Sequence, residues 1–348
     1  MNDELLMHRC LQLASLGGGY VSPNPMVGAV VVYDNKIIGE GYHKVYGQAH
    51  AEPNAINAVE DKTLLKNSTL YVSLEPCCHW GKTPPCADFI VKSGIRKVVI
   101  CNSDPNPKVS GGGVKILKDA GIEVVSGVLE KEGRELNKRF FSRHEKNRPY
   151  IILKWAQTLD GFMDIERKNE SKEDYWITND ALKVWVHRQR AIEDCILVGK
   201  NTIINDNPHL NIRYYNGPNP IRMTIDKDLT IPINRFFFDN SRKTVVFNSK
   251  KDYIEGETTY VKLDFSKNVL TQIIHYIYID IKTSSLIVEG GKFTLESFIK
   301  ENLWDEATVL VGNKHFYKGL LSPKELIKNK ISNKIYFGSD WIEQYYNL

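Results

Sequence analysis

Thr69-Leu70-Tyr71-Val72-Ser73-Leu74-Glu75-Pro76-Cys77, followed shortly by Thr83-Pro84-Pro85-Cys86, decides the fold of the first half of the chain. Residues 69–74 are an apolar run that predicts a buried strand, and that strand leads directly into a cysteine. The proline pair after Thr83 predicts a helix that starts near Cys86 and stops at Gly94. The same alternation extends in both directions. Upstream, residues 3–16 and 51–59 have helical periodicity, and residues 27–33 and 36–42 flank Asp34-Asn35 as a hairpin. Downstream come a strand at 97–101, a helix at 114–120, a strand at 122–125 and a helix at 129–143. Interleaved strands and helices predict an α/β domain.

Lys146-Asn147-Arg148-Pro149 interrupts the pattern, so domains are expected at 1–147 and 148–348. Two domains also suit 348 residues at about 150 residues each. The second half restarts with strands at 150–155, 191–198, 221–225, 244–247 and 285–288, and helices at 179–190 and 294–301, again α/β. The formal net charge of +4 is small for this length and gives no electrostatic case for nucleic acid, though a local basic pocket could still hold a phosphorylated small molecule. No apolar run approaches the roughly 20 residues of a membrane span, and the opening Met-Asn-Asp-Glu lacks the form of an export signal. The expectation is a cytoplasmic protein without a membrane partner, in which thiols stay reduced.

In that setting Cys77, Cys78 and Cys86 point to metal or catalysis rather than disulfides. Cys10, Cys101 and Cys195 sit in apolar surroundings and read as core residues. His50-Ala51-Glu52 opens a predicted helix, and Cys77 and Cys86 both fall at predicted helix starts, where negative charge and hence thiolates are favoured. His50, Cys77 and Cys86 supply three ligands for tetrahedral zinc, which leaves a fourth position for water. Zinc lowers that water's pKa to roughly 7. Glu52 is then available as the catalytic proton shuttle. A structural site would need a fourth protein ligand; Cys78 and His79 are the candidates, and their adjacency to Cys77 points them elsewhere, with His79 toward the pocket. The pattern matches the general base-deaminase signature except that eight residues, not two, separate the cysteines. A longer loop still closes on one metal, because closure entropy grows slowly with length.

These residues resemble the riboflavin-biosynthesis bifunctional deaminase–reductase family. In the first half the resemblance rests on Pro23-Asn24-Pro25-Met26-Val27-Gly28, Gly41-Tyr42-His43, His50-Ala51-Glu52, the whole of residues 74–86 with its eight-residue gap, Asp104-Pro105-Asn106-Pro107 and Gly111-Gly112-Gly113. In the second half it rests on residues 154–161, Trp176-Ile177-Thr178, residues 187–191, residues 198–202, residues 206–213 and Val288-Glu289-Gly290-Gly291. The resemblance implies a cytidine-deaminase-like three-layer domain followed by a dihydrofolate-reductase-like domain. It implies zinc-dependent deamination of a phosphoribosylated diaminopyrimidine, with Asn24 and His43 toward ring or ribose, then NADPH reduction of ribosyl to ribityl. NADPH contacts are implied at Ala156, Trp176, Thr202, Asp206, Gly291, Lys292, Phe293, Thr294, Leu295, Glu296 and Ser297. Substrate contacts are implied at Asp174, Arg190, Leu210, Arg213 and Glu289.

Glu289-Gly290-Gly291 ends a predicted strand and opens a helix, a turn that lets a pyrophosphate approach the backbone. Arg190 and Arg213 suit a ribose 5-phosphate through bidentate guanidinium contacts. Lys154 and Asp206 are the candidates for the reductase proton donor. A homo-oligomer is also expected. Two stretches differ from its usual pattern: Lys172-Glu173-Asp174-Tyr175 replaces a Gly/Ser-rich loop, and Val311-Gly312-Asn313-Lys314 replaces a Pro and Leu-Leu-Gly pattern. The competing expectations are a nucleic-acid deaminase, such as a tRNA-editing enzyme with an accessory domain, and a zinc-stabilised binding protein. The charge balance and the second domain oppose the first. Glu52, for which a structural site has no use, opposes the second.

Overall fold

The computed structural model describes residues 2–165, 176–323 and 332–347. The chain divides into two compact units, Met1–Asn147 and Arg148–Leu348. The first contains α1 (Asp3–Ser15), β1 (Gly28–Tyr33), β2 (Lys36–Tyr42), α2 (Ala51–Ala58), β3 (Thr69–Leu74), α3 (Cys86–Ser93), β4 (Lys97–Asn102), α4 (Gly112–Asp119), β5 (Glu123–Ser126), α5 (Glu130–Leu136) and α6 (Lys138–Glu145). Its sheet runs β2-β1-β3-β4-β5, antiparallel at β2/β1 and β1/β3 and parallel at β3/β4 and β4/β5.

Alternation along β1 explains the layering. Ala29 and Val31 face Ala51, Ala55 and Ile56 of α2 on one side, while Val30 and Val32 face Leu6, Met7 and Cys10 of α1 on the other. The expected single helix at 129–143 is instead α5 and α6, broken at Asn137. The buried Asn137 amide pairs with both sides of the Met26 peptide, accepting from its N–H at 2.9 Å and donating to its carbonyl at 2.9 Å. This side-chain-to-backbone competition is the reason Asn interrupts helices.

The second unit contains β6 (Tyr150–Thr158), β7 (Phe162–Asp164), α7 (Asp180–Ile192), β8 (Cys195–Gly199), α8 (Lys200–Asp206), β9 (Ile221–Ile225), β10 (Thr244–Asn248), β11 (Tyr253–Glu255), β12 (Thr258–Lys262), α9 (Val269–Tyr276), β13 (Ser285–Val288), α10 (Lys292–Lys300), β14 (Glu306–Gly312), β15 (Leu320–Leu321), β16 (Asn333–Phe337) and β17 (Asp340–Tyr346). Among the described residues a ten-stranded sheet runs β11-β12-β10-β9-β8-β13-β6-β14-β17-β16. It is parallel from β12 to β14, with antiparallel strands at both edges.

Both faces are buried, as parallel sheets require. α9 and α10 cover one face through Ile273, Ile274, Leu295 and Phe298, and Ile203 of α8 packs on the other. The strand expected at 191–198 begins at Cys195, because α7 runs on through Ala191 and Ile192. Among the described residues no helix is long and apolar enough to cross a membrane.

Candidate functional site

His50 is the N-cap of α2, and its side chain makes no capping bond. Its Nδ1 lies 3.3 Å from Cys86 Sγ and 3.6 Å from Cys77 Sγ. Tetrahedral zinc with ordinary Zn–N and Zn–S bonds spaces those atoms about 3.6 Å apart, so the donor set fits zinc in chemistry and spacing. Among the described residues these three form the one cluster of metal-binding type, its ligand atoms all within 4.8 Å of one another. Cys86 is the first residue of α3, whereas Cys77 lies in the irregular segment after β3, not at a helix start. The α3 terminus still serves Cys77, because the Cys86 N–H donates to its sulfur at 3.3 Å. A hydrogen bond from the Cys86 side chain, opposed by burial, holds the Cys77 thiol well below its ordinary range.

Cys78 takes no part in this cluster; its thiol points to the Lys108 carbonyl at 3.4 Å. His79 lines the cavity instead, with Nδ1 buried and unpartnered. Replacing Cys86 with Ser should therefore reduce bound zinc from about one per chain to near zero, and ammonia release with it. Metal analysis of the purified variant checks this; full zinc content would remove Cys86 from the ligand set.

Glu52 stands in the first turn of α2, only 3% exposed. Its Oε2 is buried without a hydrogen-bond partner, and burial pushes the carboxyl up to about 7. It opens onto a cavity of about 550 Å³ that also reaches Asn24, His43, Cys77 and His79. His43 is fixed in one neutral form. Its Nδ1–H must donate to the Ala49 carbonyl at 3.1 Å, so Nε2 accepts from the Asn24 amide nitrogen at 3.2 Å. Burial also lowers the His43 pKa. The Asn24 amide is thereby oriented with its oxygen left for the cavity.

Residue spacing gave no role to Glu75, yet it braces this wall. Its buried carboxylate accepts from the backbone N–H groups of Asp104, Gly111, Gly113 and Val114 at 3.1–3.2 Å. Gly113 is needed there, because a Cβ would collide with the Pro76 carbonyl oxygen. Lys82, Lys108, Arg143 and His144 also line the cavity. They come from three separate segments, around residues 82, 108 and 143–144, so no local motif joins all of them.

In the second unit Lys154 of β6, Arg190 of α7 and Glu289 at the end of β13 meet in one buried cluster. Glu289 accepts from Arg190 Nε at 2.9 Å and Nη2 at 2.7 Å, and from Lys154 Nζ at 3.3 Å. Against the opposing effect of burial, Arg190 first and Lys154 second hold the Glu289 carboxyl down to about 2. The Arg190 fork expected to take phosphate is thus engaged by Glu289, and its Nη1 donates to the Asn211 carbonyl at 3.2 Å. Arg213 is exposed, with Nη1 on Asn211 Oδ1 at 2.8 Å.

Gly291 caps α10 at φ +71° without a side-chain cap. The β8–α8 and β13–α10 turns pack closely: a Cβ at Gly199 would stand 2.8 Å from Thr294 Oγ1, and one at Gly290 3.1 Å from Thr202 Oγ1. This glycine-lined helix start fits the pyrophosphate of a dinucleotide. Ala156 is half-buried on β6, and Trp176 is exposed under the Lys183 ammonium. Asp206 is exposed at the end of α8, as is Phe293 in the first turn of α10. Lys292 and Glu296 pair along α10, and Ser297 donates to the Phe293 carbonyl. Leu210 and Leu295 bury their side chains in the core, so any ligand contact there is made by backbone. Asp174 lies outside the described residues.

Comparison with known proteins follows this division. The family model described as "Cytidine and deoxycytidylate deaminase zinc-binding region" matches residues 1–102, and "RibD C-terminal domain" matches residues 149–316. The chain is 41% identical over 327 residues to the riboflavin biosynthesis protein RibD of Aquifex aeolicus, covering 91% of this chain and 89% of that one. It is 34% identical to that of Escherichia coli over 331 residues, covering 90% and 88%. A solved Thermotoga maritima structure, described as a diaminohydroxyphosphoribosylaminopyrimidine deaminase/5-amino-6-(5-phosphoribosylamino)uracil reductase, superposes with TM-score 0.89 at 37% identity over 99% of both chains. Acinetobacter baumannii RibD superposes with TM-score 0.88 at 30% identity, covering 99% of this chain and 98% of that one.

Proposed function

The chain belongs to the RibD family, and on that premise we propose that residues 1–147 deaminate a phosphoribosylated diaminopyrimidine and residues 148–348 reduce its ribosyl group. It is a bifunctional deaminase–reductase of riboflavin biosynthesis that uses zinc and NADPH. The observation that carries the residue-level reading is the unpartnered Oε2 of Glu52, buried beside three zinc donors. A nucleic-acid deaminase is not favoured, since the relatives match across both units.

Zinc supplies Lewis acidity to a water, and NADPH supplies a hydride. Glu52 takes one proton from the attacking water and passes it to the ring nitrogen, then takes the second from the added hydroxyl and gives it to the amine, which leaves as ammonia. The Asn24 oxygen accepts from a ring or exocyclic N–H. Lys82, Lys108 and Arg143 offer a basic wall to the phosphate, and His144, whose pKa burial and then Arg143 lower, stands beside them as a neutral ring.

In the second unit Glu289 holds Lys154 and Arg190 at the ribosyl carbon, and exposed Arg213 meets the phosphate. Lys154, buried beside Glu289, is better placed to give a proton than Asp206, exposed at the end of α8. The helix start at Gly291, with Thr202 and Thr294, receives the cofactor pyrophosphate, and Ala156, Trp176 and residues 292–297 flank it. A cytoplasmic setting, which keeps the ligand thiols reduced, and a homo-oligomeric assembly rest on the family.

Incubating the protein with the phosphoribosyl diaminopyrimidine should release ammonia without NADPH and oxidise NADPH when it is added. Absence of ammonia release would overturn the first assignment, and absence of NADPH oxidation on the deaminated compound the second.

A further inference from the structure

We propose that His187 is a positioning residue of the reductase, its ring nitrogen fixing the backbone from which Arg213 reaches the substrate. This rests on the reductase reading above. His187 and Arg190 are three residues apart on α7 and share one helical face. From that face they grip a single stretch of chain: Arg190 Nη1 holds the Asn211 carbonyl at 3.2 Å, and His187 Nδ1 accepts the Arg213 N–H at 2.9 Å. Asn211 in turn takes the Arg213 guanidinium through Oδ1, and Asn219 Oδ1 accepts the Ile212 N–H at 2.8 Å. An exposed arginine is thus carried on a backbone whose polar groups are tied at each of three consecutive residues. A long side chain held this way loses less freedom on binding an anion than one on a mobile loop.

The arrangement requires a neutral ring with its proton on Nε2, because an imidazolium has no acceptor. The surroundings enforce that state. Burial, then Arg190 and Arg213, and more weakly Lys154, push the His187 pKa down to about 4, with Glu289 the opposing charge. His187 is 3% exposed and lies edge-on to Tyr214, with ring centroids 4.9 Å apart. Simple packing against Tyr214 would need hydrocarbon bulk but no acceptor, and the two roles are separable on that basis.

His187→Leu keeps bulk and removes the acceptor, while His187→Asn keeps an acceptor near the Nδ1 position. Steady-state reduction of 5-amino-6-(5-phosphoribosylamino)uracil and amide hydrogen exchange at Arg213 are measured on the full-length protein. His187→Leu should raise KM for that compound about tenfold, equivalent to about 1.4 kcal/mol. Both kcat and KM for NADPH should stay within about twofold, with faster exchange at Arg213. His187→Asn should restore both readouts toward wild type.

An unchanged KM and unchanged Arg213 exchange in His187→Leu would overturn the inference. So would equal damage to kcat, or to NADPH use, in both variants. A wild-type protein that oxidises no NADPH would instead refute the reductase reading, and Arg213 exchange would still decide the role of His187.

Discussion

Glu52→Gln abolishes ammonia release, by about 10²–10⁴-fold, and leaves the zinc content intact. That combination is expected because His50, Cys77 and Cys86 form the cluster that could hold the metal, while Glu52 Oε2 has no hydrogen-bond partner among the described residues. A carboxyl that burial pushes up to about 7 is matched to both taking and giving a proton near neutrality. Glutamine preserves shape and removes only that exchange. Zinc analysis, ammonia release and reduction of the deaminated compound on one preparation separate the possibilities. Loss of zinc with loss of activity would make Glu52 a structural element of the site, and full deamination would remove it as the proton shuttle. Reduction should proceed at the wild-type rate, since Glu52 belongs to the first unit and the Lys154–Arg190–Glu289 cluster to the second.

Glu289→Gln carries the largest expected stability effect. Glu289 is buried between the Arg190 and Lys154 cations, both also largely buried. Removing the one anion leaves those charges uncompensated, a cost of about 3–5 kcal/mol. For a unit of this size that lowers Tm by roughly 10 °C. The sign of the pH dependence follows from its depressed pKa. The ordinary value is 4.5 and the folded value about 2, so the carboxylate's contribution is present above 4.5 and is lost as pH falls toward 2. Wild-type melting across that window should show the loss, and Glu289→Gln should show it much reduced. An unchanged Tm in the variant would mean that the cluster adds nothing net to the fold. Reduction should fall as well, because Arg190 would lose its fixed position under Asn211, and deamination should persist.

Several features are legible in the sequence alone. Strands at 69–74, 221–225 and 285–288 have the bounds their apolar runs predict, because each run is bounded by polar, glycine or proline residues. His50, Glu52 and Cys86 leave a local trace because each stands at or beside a helix start, whereas Cys77, in the irregular segment after β3, is marked only by its spacing from them. The strands expected from the sequence do not include β14, β16 and β17, and the sheet order of the second unit is a matter of long-range pairing. The helix expected at 129–143 failed for the same reason. Asn137 is a weak breaker by propensity, and it was the Met26 peptide, 111 residues away, that stopped the helix.

The sequence by itself determined the chemistry available: three soft and borderline zinc ligands, a glutamate two residues from one of them, and a glycine-rich turn suited to a dinucleotide. Only the tertiary structure decided how those groups are held. It turned Cys78 away from the His50–Cys77–Cys86 cluster, set Glu75 against the backbone of Asp104, Gly111, Gly113 and Val114, committed Arg190 to Glu289, and tied the Arg213 backbone to His187. The physical reason is separation along the chain. Short-range spacing is imposed by covalent geometry and helix starts, whereas these charge and hydrogen-bond partners lie 26 to 99 residues apart and meet only when the sheets are assembled.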